Sequence, residues 1–355
     1  MADRGFPAGL GPSASGWSRT GTVLGAAAAA LGAAVLYNSY RTRQVERRHP
    51  PAGRFVEVDG VRLHYLERGS GTPVVLIHGN VVTAEDWVLS GVLDQVAAQG
   101  HRVIAFDRPG YGYSDRPRGT TWTATAQADL LHRAFARLGL ECPVVVGHSW
   151  GTLAALALAL ADPAAVRGLV LISGYYYPTV RADALLVAPA AVPVLGNVLR
   201  HTVSPLFGAA TLPLLLKGMF APRPVPERFQ QGFERGMVVR PLQIRAEAED
   251  GSGMAREAAT MQNRYRELRL PVMIMAGIED RVVDVGRHPV RLREEVRHGD
   301  LRLVPGAGHM VHHAVPGQVA EMVEAAAGGH RVPGGPELAG ARAAGAHGRP
   351  AMAAE

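Results

Sequence analysis

Four short apolar runs limit what this chain can fold into more than any other feature. They are VVLIHG from Val74, RVIAFDRPG from Arg102, PVVVGHS from Pro143 and GLVLIS from Gly168, and turn-forming residues close each of them. Continuous apolar runs of this kind suit strands buried on both faces of a parallel sheet. Between them lie AEDWVLSGVLDQVAAQG, TATAQADLLHRAFARLG and TLAALALALADP, whose apolar residues recur at helical spacing. Parallel neighbours need a crossover connection, and a helix is the usual one. The alternation therefore predicts a doubly wound, mostly parallel α/β sheet. Upstream, RFVEVDGVRLHYLERG alternates apolar and polar residues on both sides of Asp59-Gly60, which predicts a β-hairpin with a tight turn.

After Ser173 the alternation lapses. The interval contains YYYP, LLVAPAAVPVLGNVL, LFGAATLPLLLKGMF and APRPVPERF, all greasy or proline-rich. That is far more chain than one crossover needs, and it is expected to be an inserted helical lid over 175–270. VMIMAGIED at Val272, LRLVPG at Leu301 and a last helix from Pro316 to Ala327 return the chain to the sheet. The core is thus expected in two parts, 54–174 and 271–327.

The ends have their own character. GTVLGAAAAALGAAVLY, Gly21 to Tyr37, has no charge and no proline. As a helix it spans roughly 25 Å, and continuing it to Tyr40 closes the gap to a ~30 Å hydrocarbon core. The expected organisation is a disordered leader (1–20), a transmembrane anchor (21–40) and a basic linker (41–53). A cleaved signal peptide and a soluble alanine-rich helix are the alternatives. Arg41, Arg43, Arg47 and Arg48 after the apolar segment outnumber Arg4 and Arg19 before it, which for an anchor places the main domain on the cytoplasmic side. Signal cleavage would instead mean export. The tail, 328–355, is rich in Gly, Ala, Pro and Arg without periodicity and is expected to be disordered.

The net charge of +6 comes almost entirely from scattered arginines, without a nucleic-acid motif, so a membrane is the expected polyanionic partner and nucleic acid is not. The single cysteine, Cys142, excludes an intrachain disulfide framework and any cysteine-built metal site.

The chemistry centres on VVVGHSWGT, Val144 to Thr152. With this much glycine, a bare Gly-x-Ser-x-Gly arises by chance in about one such chain in six, so context decides its meaning. Here VVV reads as a strand, TLAALALALA as a helix and Gly-His-Ser-Trp-Gly as the corner between them. Gly147 and Gly151 leave room where a Cβ would strike neighbouring backbone, and Ser149 is presented at the carboxyl end of the sheet. A serine hydroxyl needs a base, oriented by a third group. In such a strand–turn–helix context the expected chain order is Ser, then acid, then His.

AGIEDRVVD offers Glu279, Asp280 and Asp284 at the end of a late strand; Asp280 is preferred and the other two stay open. VPGAGHMVHH offers His309 directly after the last strand, with His312 and His313 read as surface or lid contacts. The expected oxyanion donors are the backbone N–H groups of Trp150, one past the serine, and Asn80, after LIHG. His78 reads as a packed turn residue, and Asp107 as a tie for its own loop.

Together HGN, FDRPGYGYSDRP, GHSWG, GIEDRVVD and GAGHMVHH resemble the α/β-hydrolase fold superfamily, in the branch with epoxide hydrolases, haloalkane dehalogenases and serine esterases. The resemblance covers roughly Arg54 to Ala327. Asn80 and Trp150 match the asparagine and tryptophan that haloalkane dehalogenases place around halide. Those enzymes attack with an aspartate, whereas this chain has Ser149. A serine alkyl ether would have no carbonyl for water to attack, so the resemblance implies a carbonyl substrate: an ester, thioester, amide, lactone or vinylogous diketone. It implies two-step acyl transfer to water without metal or organic cofactor. The apolar lid and tether add the expectation of a lipophilic ester or acyl substrate. The competing expectations are a cofactor-free perhydrolase or haloperoxidase-like enzyme, a non-catalytic ligand-binding member of the fold, and a membrane scaffold.

Overall fold

A computed structural model describes residues 19–179 and 188–328 of the chain. Most of the expected leader and all but the first residue of the expected tail lie outside the described residues.

Among the described residues eight strands form one sheet: β1 (Arg54–Val58), β2 (Val61–Arg68), β3 (Thr72–Ile77), β4 (His101–Phe106), β5 (Val144–His148), β6 (Gly168–Ile172), β7 (Val272–Gly277) and β8 (Asp300–Val304). Their order is β1-β2-β4-β3-β5-β6-β7-β8. The β1–β2 and β2–β4 pairs are antiparallel and every other pair is parallel. The hairpin turns at Asp59 (φ 51°) and Gly60 (φ 75°), the double positive φ of a primed two-residue turn.

The apolar runs are continuous because both faces of the sheet are covered. Val75, Ile77, Val145, Leu169 and Ile274 join one core cluster, while Val74, Leu76, Val144, Val146 and Val170 join the other. Alternate residues of each strand therefore serve opposite cores.

Among the described residues the helices are α1 (Arg19–Arg48), α2 (Glu85–Leu89), α3 (Val92–Ala98), α4 (Ala124–Leu138), α5 (Gly151–Ala161), α6 (Leu195–His201), α7 (Ser204–Phe220), α8 (Glu227–Gly232), α9 (Arg235–Val238), α10 (Pro241–Met261), α11 (Arg291–Glu295), α12 (Val311–Ala314) and α13 (Pro316–Ala327). The stretch after β3 reads as one helix in sequence but forms two, α2 and α3. Gly91 between them takes φ 83°, a conformation that interrupts the helix and that glycine adopts without steric cost. Helix α4 starts where Thr123 Oγ1 accepts the Ala126 N–H (3.0 Å) and stops at Gly139, φ 63°. Helix α5 is buried from Gly151 to Leu160, consistent with its apolar circumference.

Between β6 and β7 the described residues form helices α6 to α10 and no strand. Leu212, Leu216, Met219 and Phe220 of α7 pack with Phe229, Val238, Val82 and Met310 in a separate apolar cluster.

Helix α1 is longer than the apolar segment. It runs past Tyr40 through Arg48, and so includes the first part of the expected basic linker. Contacts with the insert hold it. Asn38 Nδ2 donates to the carbonyls of His201 (3.0 Å) and Thr202 (2.8 Å), and Arg240 pairs with Glu46 at 2.8 Å. Val45 is buried. The segment Thr20–Arg48 is long and apolar enough to cross a membrane.

Candidate active site

Ser149 occupies the corner between β5 and α5 with φ 51°, a region that costs an L-residue about 1–2 kcal/mol. Its N–H donates to the Ile172 carbonyl (2.8 Å), which ties the corner to the next strand. Three glycines make the corner possible. A Cβ on Gly147 would sit 2.8 Å from the Gly151 carbonyl carbon, and one on Gly151 would sit 2.3 Å from the Ile77 oxygen. One on Gly79 would lie 2.9 Å from the Ser149 Cβ. Nothing larger than glycine fits at those positions without moving backbone.

His309 lies in the loop after β8. Its Nε2 is 2.9 Å from Ser149 Oγ and its Nδ1 is 2.9 Å from Asp280 Oδ2. The other carboxylate oxygen of Asp280 accepts the N–H groups of Val282 (2.8 Å) and Val283 (3.0 Å), so the acid cannot rotate freely. With Nδ1–H directed at the carboxylate, the Nε2 lone pair faces the serine hydroxyl. The two alternative acids are engaged elsewhere: Glu279 accepts the Ala307 N–H (3.2 Å), and Asp284 accepts the Arg287 N–H (2.7 Å).

On one side of this group lies a set of imidazoles. His148 Nε2–H donates to the His309 carbonyl (3.2 Å). Burial, reinforced by His312 and His309, holds the His148 pKa well below the ordinary imidazole range. His312, expected at the surface or against a lid, is instead fully buried. Its Nε2–H donates to Asp86 Oδ2 and that of His313 to Asp86 Oδ1, both at 2.8 Å. The aspartate on α2 thus captures two histidines of α12. His313 does meet the insert, its ring 5.1 Å from Phe220 and 5.4 Å from Phe229. Burial opposes ionisation of Asp86, but the two imidazoles outweigh it and hold its pKa well below the usual carboxylate range. The donor atoms of Asp86, His312 and His313 lie within 4.8 Å of one another, a spacing that could hold a metal ion. Two N–H donors engage the carboxylate and clamp α2 to α12, while His312 Nδ1 has no partner among the described residues.

On the other side lie permanent charges. The buried Arg108 donates to Asp250 Oδ2 (2.6 Å), to Asn80 Oδ1 (2.7 Å) and to the Gly79 carbonyl (3.2 Å). Its guanidinium carbon lies 4.1 Å from the Trp150 ring centroid and 4.2 Å from that of Tyr111. Arg116 donates to Asp250 Oδ1 (2.8 Å), and Tyr111 donates to Asn80 Oδ1 (2.8 Å). Asp250, on α10 of the insert, is therefore coupled to the loop that carries Asn80. The Trp150 indole N–H donates to the Asp250 carbonyl (3.1 Å), so neither it nor Asn80 Oδ1 stands unengaged. The backbone N–H groups of Asn80 and Trp150, by contrast, have no acceptor among the described residues.

His78 and Asp107 sit as tightly held turn residues. His78 bonds the Gly79 carbonyl (2.7 Å) and accepts the Arg108 N–H (3.0 Å). Burial, and then the charge of Arg108, lower its pKa to about 4. Asp107 accepts the N–H groups of Ala84 (2.8 Å) and Tyr113 (3.0 Å).

A family model of the alpha/beta hydrolase fold matches residues 72–314, well over half of the chain. The chain belongs to the α/β-hydrolase fold family. Among relatives of this α/β hydrolase, 2-hydroxymuconate semialdehyde hydrolase of Pseudomonas sp. (strain CF600) is 34% identical over 131 residues, which are 36% of this chain and 46% of that relative. The match therefore spans under half the length of that protein. Haloalkane dehalogenase 2 of Mycobacterium bovis is 25% identical over 282 residues, covering 78% of this chain and 94% of the relative. A thermophilic esterase from Thermogutta terrifontis superimposes with a TM-score of 0.60 at 21% identity, covering 77% of this chain and 96% of the esterase. At that identity the likeness speaks for the fold alone.

The roles of Arg108, Tyr111 and His148 in this α/β hydrolase went unread in sequence although FDRPGYGYSDRP and GHSWG contain them. Asp86 lies beside Trp87 in AEDW, and Asp250 in AEAEDGSGM. Neither stretch carries a pattern that marks its acid as buried.

Proposed function

We propose that this α/β hydrolase is a serine hydrolase that cleaves an ester-type carbonyl substrate through an acyl-enzyme on Ser149. One observation carries the reading: a single buried imidazole, His309, is within hydrogen-bonding distance of both Ser149 Oγ and Asp280 Oδ2, at 2.9 Å each. Oγ attacks the carbonyl carbon and its proton passes to His309 Nε2. Asp280 holds the ring in the required tautomer and stabilises the imidazolium. The developing oxyanion is received by the backbone N–H groups of Asn80 and Trp150. Collapse expels the alcohol, protonated by His309, and water then repeats the sequence to release the acid.

The serine also argues against carbon–halogen cleavage, for which a relative is named, because an ether intermediate would have no carbonyl to hydrolyse. Engagement of the Trp150 indole N–H by Asp250 points the same way, since it leaves that group unsuited to a departing halide. The helical insert serves as the lid, and its apolar composition favours a lipophilic acyl group. Helix α1 anchors the protein to a membrane.

Labelling with a fluorophosphonate probe tests the reading. The wild-type protein should react, and Ser149→Ala and His309→Ala should not. A folded wild-type protein that fails to label would overturn it.

A further inference from the structure

The free part of α1 is too short to cross a bilayer alone. The charge-free stretch between Arg19 and Arg41 spans roughly 31 Å as a helix, close to a hydrocarbon thickness of ~30 Å. Only part of it projects from the body: Thr22 to Ala33 are all exposed, whereas Ala34 is half-buried and Asn38 is buried. The segment from Ala34 to Tyr40 covers the last ~10 Å. There the Asn38 amide gives both its protons to the carbonyls of His201 and Thr202, where α6 passes into α7. A bilayer filled by the whole charge-free stretch therefore also contains the α6–α7 junction.

The outer surface at that junction suits such a place. Val194 is 80% exposed, Phe207 60% and Leu214 75%, with Leu195, Val198, Val203, Leu206 and Leu215 exposed around them. No charged side chain occurs from Thr202 to Leu216. Helices α6 and α7 meet at 66° and together are apolar enough to pass for a broken membrane segment. The opposite face of α7 (Leu212, Leu216, Met219) packs towards Val82 and Met310, which are chain neighbours of the loops carrying Asn80 and His309.

We infer that α6 and α7 form a membrane-embedded wedge, sunk ~5–10 Å into the leaflet from which α1 emerges. The occupant of this apolar face is the bilayer. The helix that covers the candidate site on one side is bathed in acyl chains on the other. A lipophilic substrate thus reaches Ser149 from the lipid side of the insert. The inference rests on α1 spanning the membrane, and its last step on the proposed hydrolase reading.

The test uses the full chain in phosphatidylcholine–phosphatidylglycerol vesicles, on a Cys142→Ser background. Single substitutions Phe207→Cys and Leu214→Cys carry an environment-sensitive fluorophore. Ala28→Cys reports on the span, and Arg137→Cys on the exposed surface of α4. The Phe207→Cys and Leu214→Cys probes should lose emission to lipids with a nitroxide high on the acyl chain and resist aqueous iodide. The Arg137→Cys probe should do the reverse. Lipid quenching of the Ala28→Cys probe while both insert probes respond only to iodide would refute the wedge and leave the anchor intact. Iodide quenching of all four would remove the span and the wedge together. Fluorophosphonate labelling in the same vesicles reads the hydrolase proposal separately, so its failure is distinguishable from either.

Discussion

Ser149 stands between two polar neighbourhoods that solve the same problem differently. On the imidazole side, His148 bonds the His309 carbonyl, and His312, its ring 4.4 Å from that of His148, shares the Asp86 carboxylate with His313. On the guanidinium side, Arg108 and Arg116 share Asp250, all three side chains wholly buried, and the network reaches Asn80 through Arg108 and Tyr111. A buried imidazole can shed its charge, so it tolerates burial alone; a guanidinium cannot, and needs a carboxylate. The proton-handling group of a hydrolase would belong on the first side. The second suits a fixed frame for oxyanion donors.

The largest expected effect breaks the imidazole side at its tip. Ser149→Ala or His309→Ala should lower kcat/KM for a good ester substrate roughly ten-thousand-fold or more, with little change in the urea midpoint. Comparable activity in either variant would mean that another group attacks.

The guanidinium side should fail through stability. Asp250→Ala leaves the buried Arg108 without a carboxylate, whereas Arg116 keeps Glu249 at 2.9 Å, and should cost about 3–5 kcal/mol, measured by urea denaturation. A loss below ~1 kcal/mol would show that Arg108 finds water or another partner.

His78 lies at the seam and distinguishes the two sides by pH. Its folded-state pKa is depressed to about 4 from 6.5, so its contribution is fully present above pH 6.5 and is lost as pH falls towards 4. Relative to His78→Gln, the wild-type protein should lose about 3 kcal/mol across that window. Parallel stability curves for the two proteins would contradict a neutral, buried His78.

The smallest effect sharpens the coupling between insert and corner. Trp150→Phe removes one N–H···O bond to Asp250 and should cost about 1 kcal/mol. Because the acceptor is the backbone carbonyl of Asp250, Asp250→Ala leaves the bond in place; an unchanged urea midpoint for Trp150→Phe itself would show that the bond contributes nothing.

Much of this was legible in the chain itself, unevenly. The sheet could be read because each strand is buried on both faces and announces itself as an unbroken apolar run. The corner at Ser149 could be read because its sterics are local: Gly147 and Gly151 meet backbone a few residues away or one strand over. His312 was misread because a histidine three residues past His309, in a four-residue helix, looks solvated until Asp86, 226 residues away in sequence, is brought to it. Asp250 gave no signal in the mostly polar α10, and its partner Arg108 lies 142 residues distant. The contacts of the stretch after Tyr40 left no mark in its sequence, because Glu234 and Arg240, which pair with His49 and Glu46, come from the insert.

By itself the sequence determined the period of each element, the turns that end them and the residue types offered to the site. Those follow from φ/ψ sterics and side-chain alternation, which act over a few residues. Only the tertiary structure decided which buried acid met which cation, which of the three acids at Glu279, Asp280 and Asp284 faced His309, and where α1 came to rest. Those choices follow from desolvation: a charge taken out of water must find its partner wherever the fold supplies one, regardless of distance along the chain.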